Sequence, residues 1–303
     1  MQQLDRLVYL TLAYSAYFKF PLTAAEIKMR LPASEDVDYL FAKKKAAFKK
    51  NIYSSKQIQN SLKKLIEQDI LQTDGEYFFL DKAHLEARFG KQAYLSEKQL
   101  ALAELKNVIK NIPLIKAAIL TGGTAVDNAK RFDDLDVLIV CRSQTLWLVR
   151  LWLVILSKWK NKRPLKNKYA WCFNLFLDEN DLKIKTERRS LYEAYEILQM
   201  KFFYDPENVE KKLIAINQDW LSKYLLYYQD RKKKPLREEK SFYLSNAVRK
   251  ILNQCLFFIQ KSYRQLRFGK EDFDLSLTQA FFNKGNFRFK LYSHLTKQID
   301  KLP

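Results

Sequence analysis

Only six glycines occur in the 303-residue chain, and two are adjacent, in Thr121-Gly122-Gly123-Thr124. Ten residues separate that pair from Asp134, and one more separates Asp134 from Asp136. A glycine pair after a strand lets the backbone approach a phosphate closely, and a helix that follows offers it free amides. Two aspartates at i and i+2 of one strand point to the same face. Carboxylates held that close repel unless they share a cation, and magnesium draws its oxygen ligands from carboxylates and substrate phosphates. Manganese suits the same donors. The chemistry in view is therefore a nucleoside triphosphate (NTP) held with Mg2+ or Mn2+. Gly122, Gly123 and Thr124 are the candidate nucleotide-binding residues, and Asp134 and Asp136 the candidate metal ligands. Asp133 precedes the pair and is expected outside the metal shell.

Positioning these groups requires a strand, a turn and a second strand. The short apolar run at 116–120 predicts the first strand, with a helix from Thr124 to about Lys130 after the turn. A strand at 134–140 follows, then an apolar helix over 145–159 and a basic loop over 160–168. A third strand is expected at 169–177. The apolar run at 146–156 is interrupted by Arg150 and falls short of the roughly 20 residues that span a bilayer, so it reads as a buried helix.

This arrangement resembles the DNA polymerase beta-like nucleotidyltransferase superfamily. Its motif is a hydrophobic residue, Gly, then Gly or Ser, a spacer, and an acidic-x-acidic pair. Here Leu120-Thr121-Gly122-Gly123 supplies the glycine motif and Asp134-Leu135-Asp136 the metal pair. The resemblance covers residues 113–204 and implies transfer of a nucleoside monophosphate. An acceptor oxygen would attack the α-phosphorus while pyrophosphate leaves. The family usually places a third carboxylate on the next core strand, and the chain departs from this. In Trp171-Cys-Phe-Asn174-Leu-Phe-Leu177, Asn174 stands at the catalytic position. An amide can ligate a metal through its carbonyl oxygen but cannot act as a general base. Asp178 would share the face of Asn174 if the strand ran that far, but is expected in the turn after it. Lys158, Lys160, Lys162 and Arg163 form a basic stretch, read mainly as a solvated helix end and loop, with phosphate contact as the alternative.

The stretch before this domain reads as a small helical unit. Leu4, Leu7, Val8, Leu10, Leu12 and Ala13 make a helical stripe, and Thr23-Ala-Ala-Glu26 has a capping-box pattern. Residues 33–53 form a charged insertion with a lysine-rich, helical middle. Ser54 or Ser55 then caps a helix to about Gln68, and Asp74-Gly75 lies between two short apolar runs as in a hairpin. That order resembles a winged helix-turn-helix. Its long helix would turn Lys56, Gln59, Asn60 and Lys63 outward, where they could meet DNA. Glu67, Asp69, Asp74 and Glu76 nearby oppose phosphate. The whole layout resembles a group of uncharacterised prokaryotic proteins with a winged helix ahead of a nucleotidyltransferase domain. In that group too the third strand carries an Asn, followed by a helix like Ser190-Leu-Tyr192-Glu-Ala194-Tyr-Glu196.

The fold expected is α+β and helix-rich. It comprises a winged helix (1–81), a connecting helical segment (82–112), a small mixed-sheet nucleotidyltransferase domain (113–204) and a C-terminal helical region (205–303). In the last region 231–235 (Arg-Lys-Lys-Lys-Pro) reads as a hinge. A long helix over 245–267 should carry Val248, Ile251, Leu252, Cys255, Leu256 and Ile259 on one face. A net charge of +20 suits a polyanionic partner without choosing between nucleotide and DNA. Three cysteines without metal-like spacing read as buried thiols in a reducing cytosol, and two histidines nearly exclude zinc sites and histidine triads. No signal peptide is recognisable, so a cytoplasmic protein without membrane contact is expected. Two functions follow: a nucleotidyltransferase with an unknown acceptor, or a DNA-binding regulator whose degenerate transferase domain senses nucleotide.

Overall fold

The apolar stripe that starts at Leu4 forms α1 (Gln3–Tyr17), with Leu7, Val8, Leu10 and Leu12 buried. The computed structural model describes residues 1–33, 35–42, 48–92, 94–130, 133–161, 169–228, 246–268, 274–282 and 286–302. β1 (Leu22–Thr23) leads into α2 (Ala24–Met29). A capping box starts that helix: the Glu26 amide donates to Thr23 Oγ1 and the Thr23 amide to Glu26 Oε2. In the insertion, α3 (Glu35–Leu40) forms at the acidic end; the lysine-rich stretch 43–47 lies outside the described residues. Ser54 and Gln57 cap α4 (Ser55–Glu67) in the same reciprocal way. β2 (Gln72–Thr73) and β3 (Tyr77–Phe79) flank the Asp74-Gly75 turn, where Gly75 takes a φ of +103° and Asp74 Oδ1 accepts from the amides of Glu76 and Tyr77. The three strands pair antiparallel in the order β1–β3–β2.

Two helices, α5 (Ala83–Gln92) and α6 (Leu95–Ile109), connect this unit to the second sheet. β4 (Ile115–Leu120) is followed by α7 (Gly122–Ala125), β5 (Leu135–Cys141), α8 (Leu146–Asn161) and β6 (Trp171–Asp178). Then come α9 (Leu191–Gln199), β7 (Lys201–Tyr204), α10 (Val209–Tyr224) and α11 (Asn246–Phe268). β8 (Asp274–Leu275), β9 (Gln279–Phe281) and α12 (Asn286–Asp300) complete the chain. The sheet runs β7–β4–β5–β6–β9–β8. β5 and β6 are parallel and the other pairs antiparallel. A parallel pair needs a crossover, which α8 provides. The fold is thus mixed α+β and helix-rich.

Local outcomes differ from the sequence reading at several points. The helix after the glycine pair is a single turn of four residues, not 124–130. Asp127 takes a left-handed φ of +56° and the Asn128 amide bonds back to Gly123 O at 2.8 Å, which ends it. The region after residue 205 is not wholly helical, because β8 and β9 extend the sheet through pairing with β6. Strands this short carry little alternation of their own and are stabilised by their neighbours. The 231–235 stretch lies outside the described residues.

Alternation along the central strands divides the core. Ala117, Ile119, Leu138, Val140 and Leu177 face a core shared with α1, α9, α10 and α12. Ala118, Leu120, Val137, Ile139 and Phe176 face another, built with α6 and α8. Only half of α8 is buried there. Leu146, Trp147, Val149 and Leu153 pack inward, whereas Trp152, Ile155 and Trp159 are exposed, so the apolar run is not the wholly buried helix expected. Among the described residues no helix is long and apolar enough to cross a membrane.

Candidate functional site

The acidic pair sits where β5 begins. Asp134 precedes the strand and is exposed; Asp136 is its second residue and is half-buried. Period-two alternation puts Asp136 on the face of Leu138 and Val140, toward α9. Antiparallel pairing brings the end of β4 alongside, with Leu120 opposite Val137. Two bonds continue that pairing into the turn, from the Thr121 amide and Oγ1 to Asp136 O at 2.9 and 3.3 Å. Thr124 Oγ1 reaches Asp134 O at 3.5 Å, so Thr124 is engaged in holding the turn to the strand.

Gly122 takes a φ of +63°, in the left-handed region. A Cβ there would lie 2.7 Å from Asp136 Oδ2, so the position admits glycine for two independent reasons. Gly123 is less constrained: its imagined Cβ meets the Asn128–Ala129 backbone at 3.6 Å, an ordinary contact. The Gly122 backbone and the Asp136 carboxylate are therefore immediate neighbours.

Asn174 joins them through an irregularity of β6. Val137 pairs with Phe173 and Leu138 with Leu175, leaving Asn174 as the extra residue of a bulge. Bulges re-aim side chains and recur beside active sites. Here Asn174 Nδ2 donates to Asp136 Oδ1 at 3.1 Å, while Asn174 Oδ1 is buried with no hydrogen-bond partner among the described residues. Asp178 is remote from this. It pairs in register with Cys141 at the far end of β5 and accepts from the amides of Gln144 and Asn180 at 2.7 and 3.0 Å. Its role is to close a turn.

Burial pushes the Asp136 carboxyl up to about 6, with Asp134 adding to the shift and bonds from Asn174 and Cys172 opposing it. Asp134 is also raised, by partial burial and then by Asp133, with Lys98 opposing. The Cys172 thiol is pushed up to about 12 by burial and by its acidic neighbours. Repulsion between neighbouring carboxylates is relieved by a shared cation. Among the described residues no three His, Cys, Asp or Glu side chains converge closely enough to hold a metal ion by themselves. The set fits magnesium nonetheless, since magnesium usually binds one or two carboxylates and fills its shell with water and phosphate oxygens. The unpartnered Asn174 Oδ1 is a further neutral oxygen at the same place.

Of three further side chains at this site, Lys98 was not singled out from the sequence, and Tyr192 and Glu196 were noted only as part of the helix motif at 190–196. Lys98 of α6 is buried and donates to Asp133 O at 2.7 Å, beneath the acidic pair. Burial lowers its ammonium, while Asp133, Asp134 and Asp136 act in the opposite sense. Glu196 of α9 accepts a hydrogen bond from the Gly122 amide; burial pushes its carboxyl up to about 7, and Asp136 adds to that. Tyr192, one turn earlier, is raised mainly by burial, with Glu196 and more distant Asp136 contributing. The motif at 190–196 marks this helix, and the i, i+4 spacing of Tyr192 and Glu196 places both on one face of it. Asp133 turns away, its Oδ2 accepting from the Lys130 amide at 2.7 Å.

The other candidates lie apart from the cleft. Lys56, Gln59, Asn60 and Lys63 are all exposed on α4, as are Glu67, Asp69, Asp74 and Glu76. Lys63 pairs loosely with Glu67 at 3.9 Å. Lys158 is exposed, but Lys160 is not the solvated charge expected. It is buried, bonded to Glu104 at 2.7 Å and stacked over Trp171. Lys162 and Arg163 lie outside the described residues. Of the three cysteines Cys141 is buried, Cys172 half-buried and Cys255 exposed, so the expectation of three buried thiols fails at Cys255.

No family model matches the chain, and neither the curated proteins nor the solved structures contain a match to it.

Proposed function

We propose that the chain binds a nucleoside triphosphate with magnesium between the Gly122-Gly123 turn and the Asp134–Asp136 pair, and transfers a nucleoside monophosphate to an acceptor hydroxyl. The observation that carries this is the close approach of Gly122 to Asp136, where a Cβ would stand 2.7 Å from Oδ2, with the unpartnered Asn174 Oδ1 beside the same carboxylate. Magnesium held by Asp134 and Asp136, with Asn174 Oδ1 in reach of the same place, would neutralise charge on the triphosphate. The chain's own contribution is positional. Gly122 and Gly123 let the backbone approach the phosphates, and Thr121 and Thr124 tie that turn to β5. Lys98 holds the Asp133 carbonyl and places a cation under the acids. The acceptor hydroxyl oxygen would attack the α-phosphorus in line as the bond to the bridging oxygen breaks, pyrophosphate leaving and the hydroxyl proton passing to solvent.

One observation favours a second reading, a regulator that senses nucleotide without turnover. The bulge position carries Asn174, and its amide is spent on Asp136. No acid from β6 is available as a base, because Asp178 closes a turn at the other end. In that reading the first unit is a winged helix: α1, β1, α2, α4 and the β2–β3 hairpin follow one another in that order, with three antiparallel strands. Lys56, Gln59, Asn60 and Lys63 would face DNA.

Triphosphates labelled at the α-phosphate separate the two. Label passed to protein, RNA or a small hydroxyl compound, and lost in Asp134→Ala, supports transfer. Retained magnesium-dependent binding with no labelled product, together with DNA affinity that changes with nucleotide, supports sensing.

A further inference from the structure

Helix α11 is turned inside out. Its inward side is polar: Asn253 Oδ1 accepts from the Trp147 amide at 2.8 Å, and Asn253 Nδ2 donates to Leu277 O at 3.2 Å. Gln260 Nε2 donates to Trp147 O at 2.8 Å while its Oε1 accepts from Arg150. Arg264 stacks over Phe282. These bonds orient the helix, with Phe257 the one large apolar side chain fully inside. The outward side is apolar. Val248, Ile251, Leu252, Phe258, Ile259 and Leu266 are all exposed, at 62%, 63% and 88% for the last three. Of the stripe read from the sequence, Val248, Ile251, Leu252, Cys255 and Ile259 are exposed, whereas Leu256 is half-buried against the core of α6 and α8. Neighbouring α8 adds exposed Trp152, Ile155 and Trp159.

A face of this kind needs a cover, because isolated exposed leucines are ordinary but a helix-long stripe is not. The charges around it select the cover. α11 has five basic residues, Arg249, Lys250, Lys261, Arg264 and Arg267, and no acid. At about 3.6 residues per turn, Arg249 and Arg267 fall beside one edge of the apolar arc, and Lys261 and Lys250 flank the other beyond Gln254 and Gln265, with Lys261 half-buried over the Phe257 ring. A second copy would set these cations against its own, on a chain of net charge +20. An apolar arc bordered on both sides by long cationic side chains matches a phospholipid surface. The stripe enters the acyl boundary and the cations reach anionic headgroups. With no membrane-crossing helix among the described residues, the contact is interfacial.

We propose that the outer face of α11 docks the protein onto an anionic phospholipid surface. This is independent of the acidic cleft. The test is co-sedimentation with vesicles of phosphatidylcholine alone and of equimolar phosphatidylcholine and phosphatidylglycerol, at low and high salt. The intact chain should sediment with the anionic vesicles at low salt and be released as salt rises. The double substitution Phe258→Glu with Leu266→Glu should fall to the level seen with neutral vesicles. Lys250→Glu with Lys261→Glu should do the same through charge alone. Phe258 and Leu266 are exposed, so that pair should keep its Tm, while the lysine pair is read against its own Tm because Lys261 is half-buried over the Phe257 ring. Absence of sedimentation with anionic vesicles at low salt overturns the proposal, as does equal sedimentation of the Phe258→Glu, Leu266→Glu variant. A concentration-dependent dimer dissolved by those substitutions would assign the face to a second copy instead.

Discussion

Gly122 lies so close to Asp136 that a single added carbon would stand 2.7 Å from the carboxylate oxygen. With a φ of +63°, the residue is also in a region where an L side chain costs about 1–2 kcal/mol. Gly122→Ala should therefore lower stability by at least that order in urea unfolding, and should weaken magnesium-nucleotide binding because Asp136 must move. Gly123→Ala, with its nearest contact at 3.6 Å, should be far milder on both measures. Equal effects from the two would sever the turn from the acid pair.

Asn174→Asp asks whether the bulge position belongs to a cation site. The change replaces the bond to Asp136 with a third carboxylate beside two raised ones. In chelator it should destabilise by about 1–3 kcal/mol, the usual cost of losing a buried partner. Millimolar magnesium should recover much of that loss. Thermal melts with and without magnesium give the answer, and an identical deficit in both would argue against metal at this place.

Asp5 offers a test of the fold away from the cleft. Burial alone would raise its carboxyl, but bonds from Lys64, Ser61 and the Gln2 amide outweigh that and hold it below the usual aspartate range. A carboxylate depressed in the folded state binds its proton more readily when unfolded. Its stabilisation is thus present above the unfolded value of 3.8 and drains away as pH falls through the lower folded value. Asp5→Asn should cost about 1–3 kcal/mol at neutral pH. The gap from the native chain should narrow on acidification below that range, measured as urea midpoints. A gap constant with pH would mean the charge is irrelevant.

DNA binding through α4 predicts a salt signature. Lys63→Ala should weaken binding evenly across sequences and lower the slope of log affinity against log salt by about one. Gln59→Ala should leave the slope alone. Fluorescence anisotropy on duplex DNA reads both. No binding at low salt would remove the regulator reading.

How much of this was legible beforehand depended on how local the cause was. The caps at Thr23 and Ser54 and the Asp74-Gly75 turn are made by residues within three positions of one another. The glycine pair follows β4 and the aspartates open its antiparallel neighbour β5, close by in sequence, so their spacing carried information. Lys98 and Glu196 reach the same place from other helices; the motif at 190–196 marked the second helix without placing it, and no local pattern announces Lys98. α11 shows the same limit differently. Its periodicity marked a helix and an apolar face, but which face packs was decided by Asn253 and Gln260 bonding to Trp147. Periodicity describes an element, and partners decide its orientation.

Calorimetric titration of magnesium-ATP and magnesium-CTP into the intact protein and into Asp136→Asn tests the central claim most directly. Saturable binding of at least one nucleotide is expected, requiring magnesium and lost in Asp136→Asn. Absence of binding to the intact protein, or equal affinity in the variant, would contradict it.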